Sequence, residues 1–139
     1  MIRCIACLLV VSLALPVGFS LAVTGQEKAA IDAAKQWVTL VDAGQYGKSW
    51  DEAAQLFKES IRRPDWVKSL EIVRSPLGAM VTRNIRNTAS VTTLPGAPEG
   101  EYLIVEFDTT FKDRAGAIET VTSAKDADGK WHVAGYYIR

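Results

Sequence analysis

Cysteine is scarce in this chain. Cys4 and Cys7 are the two, and both sit in an apolar run over residues 4–15 near the amino terminus. In that place their C-x-x-C spacing belongs to a leader, not to a redox pair or half of a zinc site. Beyond it no thiol remains for a disulfide or for nucleophilic catalysis. Histidine is scarcer still, His132 being the single one. One imidazole without thiols argues against a zinc site and leaves a Ser-His-Asp triad no spare partner, so neither a metal nor a cofactor is expected. Charge of one sign is also lacking, with 16 basic groups against 16 acidic. Without a basic block, neither nucleic acid nor an anionic membrane surface is expected as a partner. No apolar run reaches the roughly 20 residues that a membrane-spanning helix needs.

What is present begins with that run. Arg3 precedes it and Ser20-Leu21-Ala22 closes it with small residues where a signal peptidase reads, which predicts a secretory signal over residues 1–22. The expected product is a single α+β domain over residues 23–139, periplasmic or secreted. A chain of that size buries about two thirds of its unfolded surface, enough for a core without disulfides.

Residues 23–26 read as a frayed start. Over residues 27–43 Ala30, Ala34, Trp37 and Val41 recur at helical spacing with Lys28, Asp32, Lys35 and Asp42 opposite, and Gly44 stands where a left-handed cap is wanted. Ser49 three residues before Glu52 predicts a capping box for a second helix bearing Trp50, Ala53, Ala54, Phe57 and Ile61 on one face. Arg62-Arg63-Pro64 interrupts, and a third helix over residues 65–74 carries Trp66, Leu70 and Val73. From residue 79 to 93 the composition turns to Val, Ile, Thr, Asn and Ser, as in a long bent or bulged strand that places Arg83 among Val81, Ile85, Ala89 and Val91. After a turn-rich connector, residues 101–139 read as a three-stranded meander. Its apolar alternations are Leu103, Val105, Phe107, Thr109, Phe111, then Ile118, Thr120, Thr122, Ala124, then Trp131, Val133, Gly135, Tyr137. Three helices followed by four strands predict helices packed on one face of an antiparallel sheet.

A set of these residues resembles an exported bacterial family known only as a domain of unknown function, number 4019. It comprises Trp37, Asp42-Ala43-Gly44 with Tyr46, Ser49-Trp50, Phe57, Trp66, Arg74, Pro76-Leu77-Gly78, Arg83, Leu94-Pro95-Gly96, Gly100-Glu101-Tyr102, Phe107, Phe111, Glu119, Gly129 with Trp131, and Gly135-Tyr136-Tyr137. The resemblance covers nearly all of the chain after the leader. It implies a roll like that of the nuclear-transport-factor-two and cystatin superfamily, a curved four-stranded antiparallel sheet wrapped around helices, and it implies no activity. A fold of this kind hosts enzymes and plain binding modules alike.

Candidate chemistry is sparse. His132, of opposite parity to its neighbours Trp131 and Val133, reads as a surface residue. Glu106, Asp108 and Glu119, with Tyr102, Tyr136 and Tyr137, are the carboxylates and phenols that a proton-abstracting enzyme could draw on, but Glu106 and Asp108 share the outer parity. Arg83 could pair with Glu119 across strands or hold a ligand carboxylate at a pocket mouth. Trp37, Trp50, Trp66 and Trp131 could line an apolar site or fill a core. No catalytic residue emerges; Arg83, Glu119, Trp37, Trp66 and Tyr136 are the candidate ligand contacts. The sequence therefore favours a non-enzymatic module of the cell envelope that binds a small apolar ligand, a peptide or another envelope protein. The alternative is an isomerase- or dehydratase-like enzyme using a pocket carboxylate and tyrosine. A homodimer through the outer sheet face at Tyr102 and Ile104 is a further option.

Overall fold

The computed structural model describes residues 23–139, and the expected leader with Cys4 and Cys7 lies outside the described residues. Helix α1 spans Gly25–Asp42 and starts at a full capping box. The Thr24 hydroxyl accepts from the Glu27 amide while the Glu27 carboxylate accepts from the Thr24 amide, so the expected frayed start is a built helix cap. At its other end Gln45 N–H reaches the Leu40 carbonyl and Gly44 N–H the Val41 carbonyl, with Gly44 at φ 72°. That is a Schellman closure, and glycine enters the left-handed region there at no steric cost.

The second expected helix is two. α2 spans Tyr46–Asp51 and α3 spans Gln55–Ser60, with no side-chain cap on either. Ser49 does not cap at all: it lies inside α2, its hydroxyl turned back to the Tyr46 carbonyl. The break frees the Ala54 amide to donate to the Val133 carbonyl at 2.8 Å, which ties the start of α3 to the sheet. α4 spans Arg63–Arg74, and Pro64 sits in its first turn, where a missing N–H costs nothing, rather than before it. Its buried stripe is Trp66, Leu70 and Arg74, while Val73 is 45% exposed. A short 3-10 turn over Ser75–Leu77 leads into the sheet.

Strands β1 (Met80–Val91), β2 (Tyr102–Phe111), β3 (Arg114–Lys125) and β4 (Trp131–Ile138) form an antiparallel sheet in chain order, with helices packed on one face. The fold is thus α+β, and the sheet is open, not closed. β2 follows the predicted parity, with Leu103, Val105, Phe107, Thr109 and Phe111 all buried. β3 reverses it. Ala117, Glu119, Val121 and Ser123 face the helices, and Ile118, Thr120 and Thr122 do not. A register shift between Thr122 and Ser123 then changes the parity of β4, so that Val133 and Tyr136 point inward and Tyr137 is 62% exposed.

β1 is bulged as expected, near Val81 and again at Arg86. The bulges keep Arg83 and Ile85 opposite Thr109 and Phe107 on the inner side, but set Ala89 and Val91 opposite Ile104 and Tyr102 on the outer. Tyr102 is not available on that outer face. It is 5% exposed, bonded through its hydroxyl to the Pro98 carbonyl and packed beneath Leu94 and Ala97. α1 lies over β4, β3 and β2 and barely touches β1, whose outer edge is left open along most of its length. Among the described residues no helix is long and apolar enough to cross a membrane.

Candidate functional site

Four charged side chains from four elements converge where the carboxyl end of α1 meets α4, β1 and β3. Arg83 donates from Nε to Glu119 Oε1 at 2.7 Å and from Nη1 to Asp42 Oδ2 at 2.6 Å. Arg74 donates from Nη2 to Asp42 Oδ1 at 3.0 Å and from Nη1 to the Tyr136 hydroxyl at 3.2 Å. Thr109 completes the Oε1 side of Glu119 at 2.6 Å, and the Tyr136 hydroxyl donates to Oε2 in a short hydrogen bond. Arg74 Nη1 stands 3.5 Å from that same Oε2. Two carboxylates thus meet two guanidiniums, a balanced set that a low-dielectric interior tolerates because no charge is left over.

Burial decides how these groups behave. The Glu119 side chain is 0% exposed and that of Arg74 4%. Burial pushes the Asp42 carboxyl up, but bonds and charge from Arg83 and then Arg74 outweigh it and hold it below the ordinary aspartate range. For Tyr136 burial comes first and the Glu119 charge second, and both raise its phenol well above the usual value. It therefore stays a neutral donor. Burial alone would lower both guanidiniums, yet their acidic and phenolic partners lift Arg83 and Arg74 above the ordinary arginine value. The Arg74 guanidinium carbon also lies 4.5 Å from the Phe111 ring centroid, over its face, where the negative quadrupole favours a cation.

Tyr136 joins this network to an aromatic block. Trp37 and Trp66 stand 6.0 Å apart, Phe57 meets Trp66 edge-on at 4.8 Å, and Tyr136 lies 5.5 Å from Trp37. Ser49 holds both indoles: its carbonyl accepts from Trp37 Nε1 at 2.7 Å and its hydroxyl from Trp66 Nε1 at 3.0 Å. A serine buried to 0% is kept there by those two bonds.

All five sequence candidates, Arg83, Glu119, Trp37, Trp66 and Tyr136, fall in this one region. Asp42, Arg74, Thr109 and Ser49 complete it and were not among them. Asp42 reads as a polar-face residue and Arg74 as a helix end, so only the i, i+4, i+8 spacing of Trp66, Leu70 and Arg74 could have signalled burial. The other carboxylates are elsewhere. Asp108 pairs with Arg86 at 3.0 Å and Glu106 with Arg139 at 3.2 Å on the outer face. His132 Nε2 contacts Asp128 at 2.9 Å, a local pair that holds the Asp128 carboxyl below its usual range.

A carboxylate and a tyrosine do stand together, as proton-abstraction chemistry requires, but both Glu119 oxygens are taken by Arg83, Thr109 and Tyr136. No substrate atom can approach within hydrogen-bond reach without displacing them. The openings are at the surface instead. A groove of about 520 Å³ lies between the amino end of α1 and the far ends of β1 and β2, with Val91, Leu103 and Trp131 as apolar lining and Glu27, Ser90, Thr92, Thr93 and Glu101 as polar rim. A smaller depression of about 380 Å³ lies further along the same seam between Lys35 and Thr39 of α1 and Arg83–Ile85 of β1.

A family model described as "Protein of unknown function (DUF4019)" matches residues 33–136. The chain belongs to this family. The charge network lies inside the part of the DUF4019 domain that the model matches, while Thr24, Gln26 and Glu27 at the groove lie before it. No curated protein and no solved structure matched.

Proposed function

We propose that this DUF4019 domain is exported and works in the periplasm or outside the cell as a non-enzymatic binding module. It takes a small apolar molecule, or an apolar peptide side chain, in the groove beside Trp131. The observation that carries the reading is the complete engagement of Glu119. The best-placed acid or base of the interior has no oxygen free for a substrate, and its partner Tyr136 is locked as a donor to it. Function then belongs to surface openings, of which the groove combines the apolar lining and the few polar rim groups typical of small-molecule sites. Export rests on Arg3, the apolar run and Ser20-Leu21-Ala22. The roll implied by the family resemblance is a scaffold on which such a site is readily grafted.

The test uses N-phenyl-1-naphthylamine, a neutral apolar dye. Its fluorescence should rise saturably with one site per chain, and Thr92→Trp, which fills the groove from an exposed position, should remove the rise. Tyr137→Ser on the outer face should leave it unchanged. Dye binding that ignores Thr92→Trp would overturn the groove as the seat. Turnover of any substrate that Glu119→Gln abolishes would overturn the non-enzymatic reading.

A further inference from the structure

The groove and the smaller depression lie on the same side of α1, where the helix barely touches β1. Their linings divide the chemistry between them. The groove at the amino end supplies apolar surface through Val91, Leu103 and Trp131. The depression carries Lys35, Thr39 and Asn84 beside Phe107 and Ile85, and no carboxylate lines it. Ile85 is 42% exposed there, so the strand side of the depression is apolar.

The charged groups of the two openings differ in what they have left to offer. Arg83 at the depression is already balanced by Asp42 and Glu119. At the groove Glu27 accepts from the Thr24 amide on one oxygen and from the Ser90 hydroxyl on the other, and Glu101 has the Lys125 ammonium at 3.4 Å. Lys35 stands apart. The acid three residues before it, Asp32, is bonded to Lys28 at 2.6 Å, and among the described residues Lys35 has no hydrogen-bond or ion-pair partner. Its ammonium therefore keeps three free donors. From Lys35 back to Glu27, beside the groove, α1 rises about 12 Å at 1.5 Å per residue.

We propose that the apolar ligand of the groove is an elongated carboxylate amphiphile, a fatty acid by class, with its head group on the Lys35 ammonium and its tail running along α1 to Trp131. This rests on the groove reading given above and adds a head group to it. Charge sets the orientation. At the groove end a carboxylate would face Glu27, whereas at Lys35 it meets a cation and no acid. A cationic head finds no equivalent seat, because Glu27 and Glu101 are both engaged.

The test is displacement of N-phenyl-1-naphthylamine at pH 7, where a carboxylate is ionised, by probes kept below their micelle concentrations. Decanoate, whose extended chain matches the span, should displace the dye. Butyrate, too short to reach the groove from Lys35, should not. Lys35→Glu, a change at an exposed position, should weaken decanoate about tenfold and leave the dye and decanol as they were. Added salt should weaken decanoate but not decanol. The proposal is overturned if decanoate fails to displace a dye whose binding Thr92→Trp removes, or if Lys35→Glu leaves decanoate untouched. It is equally overturned if decyltrimethylammonium displaces the dye as well as decanoate does. Dye binding indifferent to Thr92→Trp is a separate result, which sinks the groove reading and this proposal with it.

Discussion

The two ends of α1 meet β1 through the same chemistry, a helix carboxylate reaching the strand. At the carboxyl end Asp42 binds two guanidiniums that are also held by Glu119 and Tyr136, in a cluster whose side chains run from fully buried at Glu119 to 17% exposed at Asp42. At the amino end half-buried Glu27 touches exposed Ser90 at 3.2 Å beside an open groove. Water screens the second contact fully and reaches the first only along the Asp42 side. One end is therefore fixed architecture and the other is adaptable surface, although both are a carboxylate on a neighbour's polar hydrogen.

The largest effect should come from unbalancing the closed end. Glu119→Ala leaves Arg83 and Arg74 with one carboxylate between them and should cost about 3–5 kcal/mol, read as a lower urea midpoint at unchanged slope. Next comes the aromatic block that backs it. Ser49→Ala removes the acceptor of the Trp66 indole in a site with no water access, and a loss of about 1–3 kcal/mol is expected in the same experiment.

Acid sharpens the comparison because Asp42 is held below its unfolded value by its arginines. The folded state binds fewer protons there than the unfolded chain, so the contribution is complete above the unfolded pKa of about 3.9 and disappears as pH falls through the lower folded value. Unfolding followed by circular dichroism should become easier below about pH 4, and Asp42→Asn should flatten that dependence. An unchanged acid limb in Asp42→Asn would move the origin of acid sensitivity to another carboxylate.

At the open end the effects should be small and divisible. Thr24→Ala removes one half of the capping box and should cost about 1 kcal/mol. Ser90→Ala, which takes away only the exposed contact to Glu27, should stay within about 0.5 kcal/mol by thermal melting. If Ser90→Ala approached the cost of Ser49→Ala, the two ends of α1 would not differ in the way their burial implies.

Much of the fold was legible because its signals are local. The alternation of Leu103, Val105, Phe107, Thr109 and Phe111 needs only the pleat of a strand, and Gly44 needs only the left-handed turn that it makes. The errors fell where a distant partner overruled a local pattern. Thr24 and Glu27 form the box that Ser49 and Glu52 were expected to form, because Ser49 is claimed by two indoles from α1 and α4. The face of β3 was read from Ile118, Thr120 and Thr122, but burial follows Ala117, Glu119, Val121 and Ser123. A carboxylate can occupy the inner face when two guanidiniums await it there, and no period-two rule anticipates that.

By itself the sequence determined the α+β order, the helices before the strands, the bulged first strand and the absence of thiol chemistry after residue 7, since each follows from residue type and short-range spacing. Tertiary structure alone decided that Asp42 and Arg74 join Arg83 and Glu119, that the interior is sealed by them, and that one edge of the sheet stays open. Those outcomes depend on bringing α1, α4, β1 and β3 within about 3 Å of shared atoms. Packing fixes such distances between residues up to 77 positions apart, from Asp42 to Glu119.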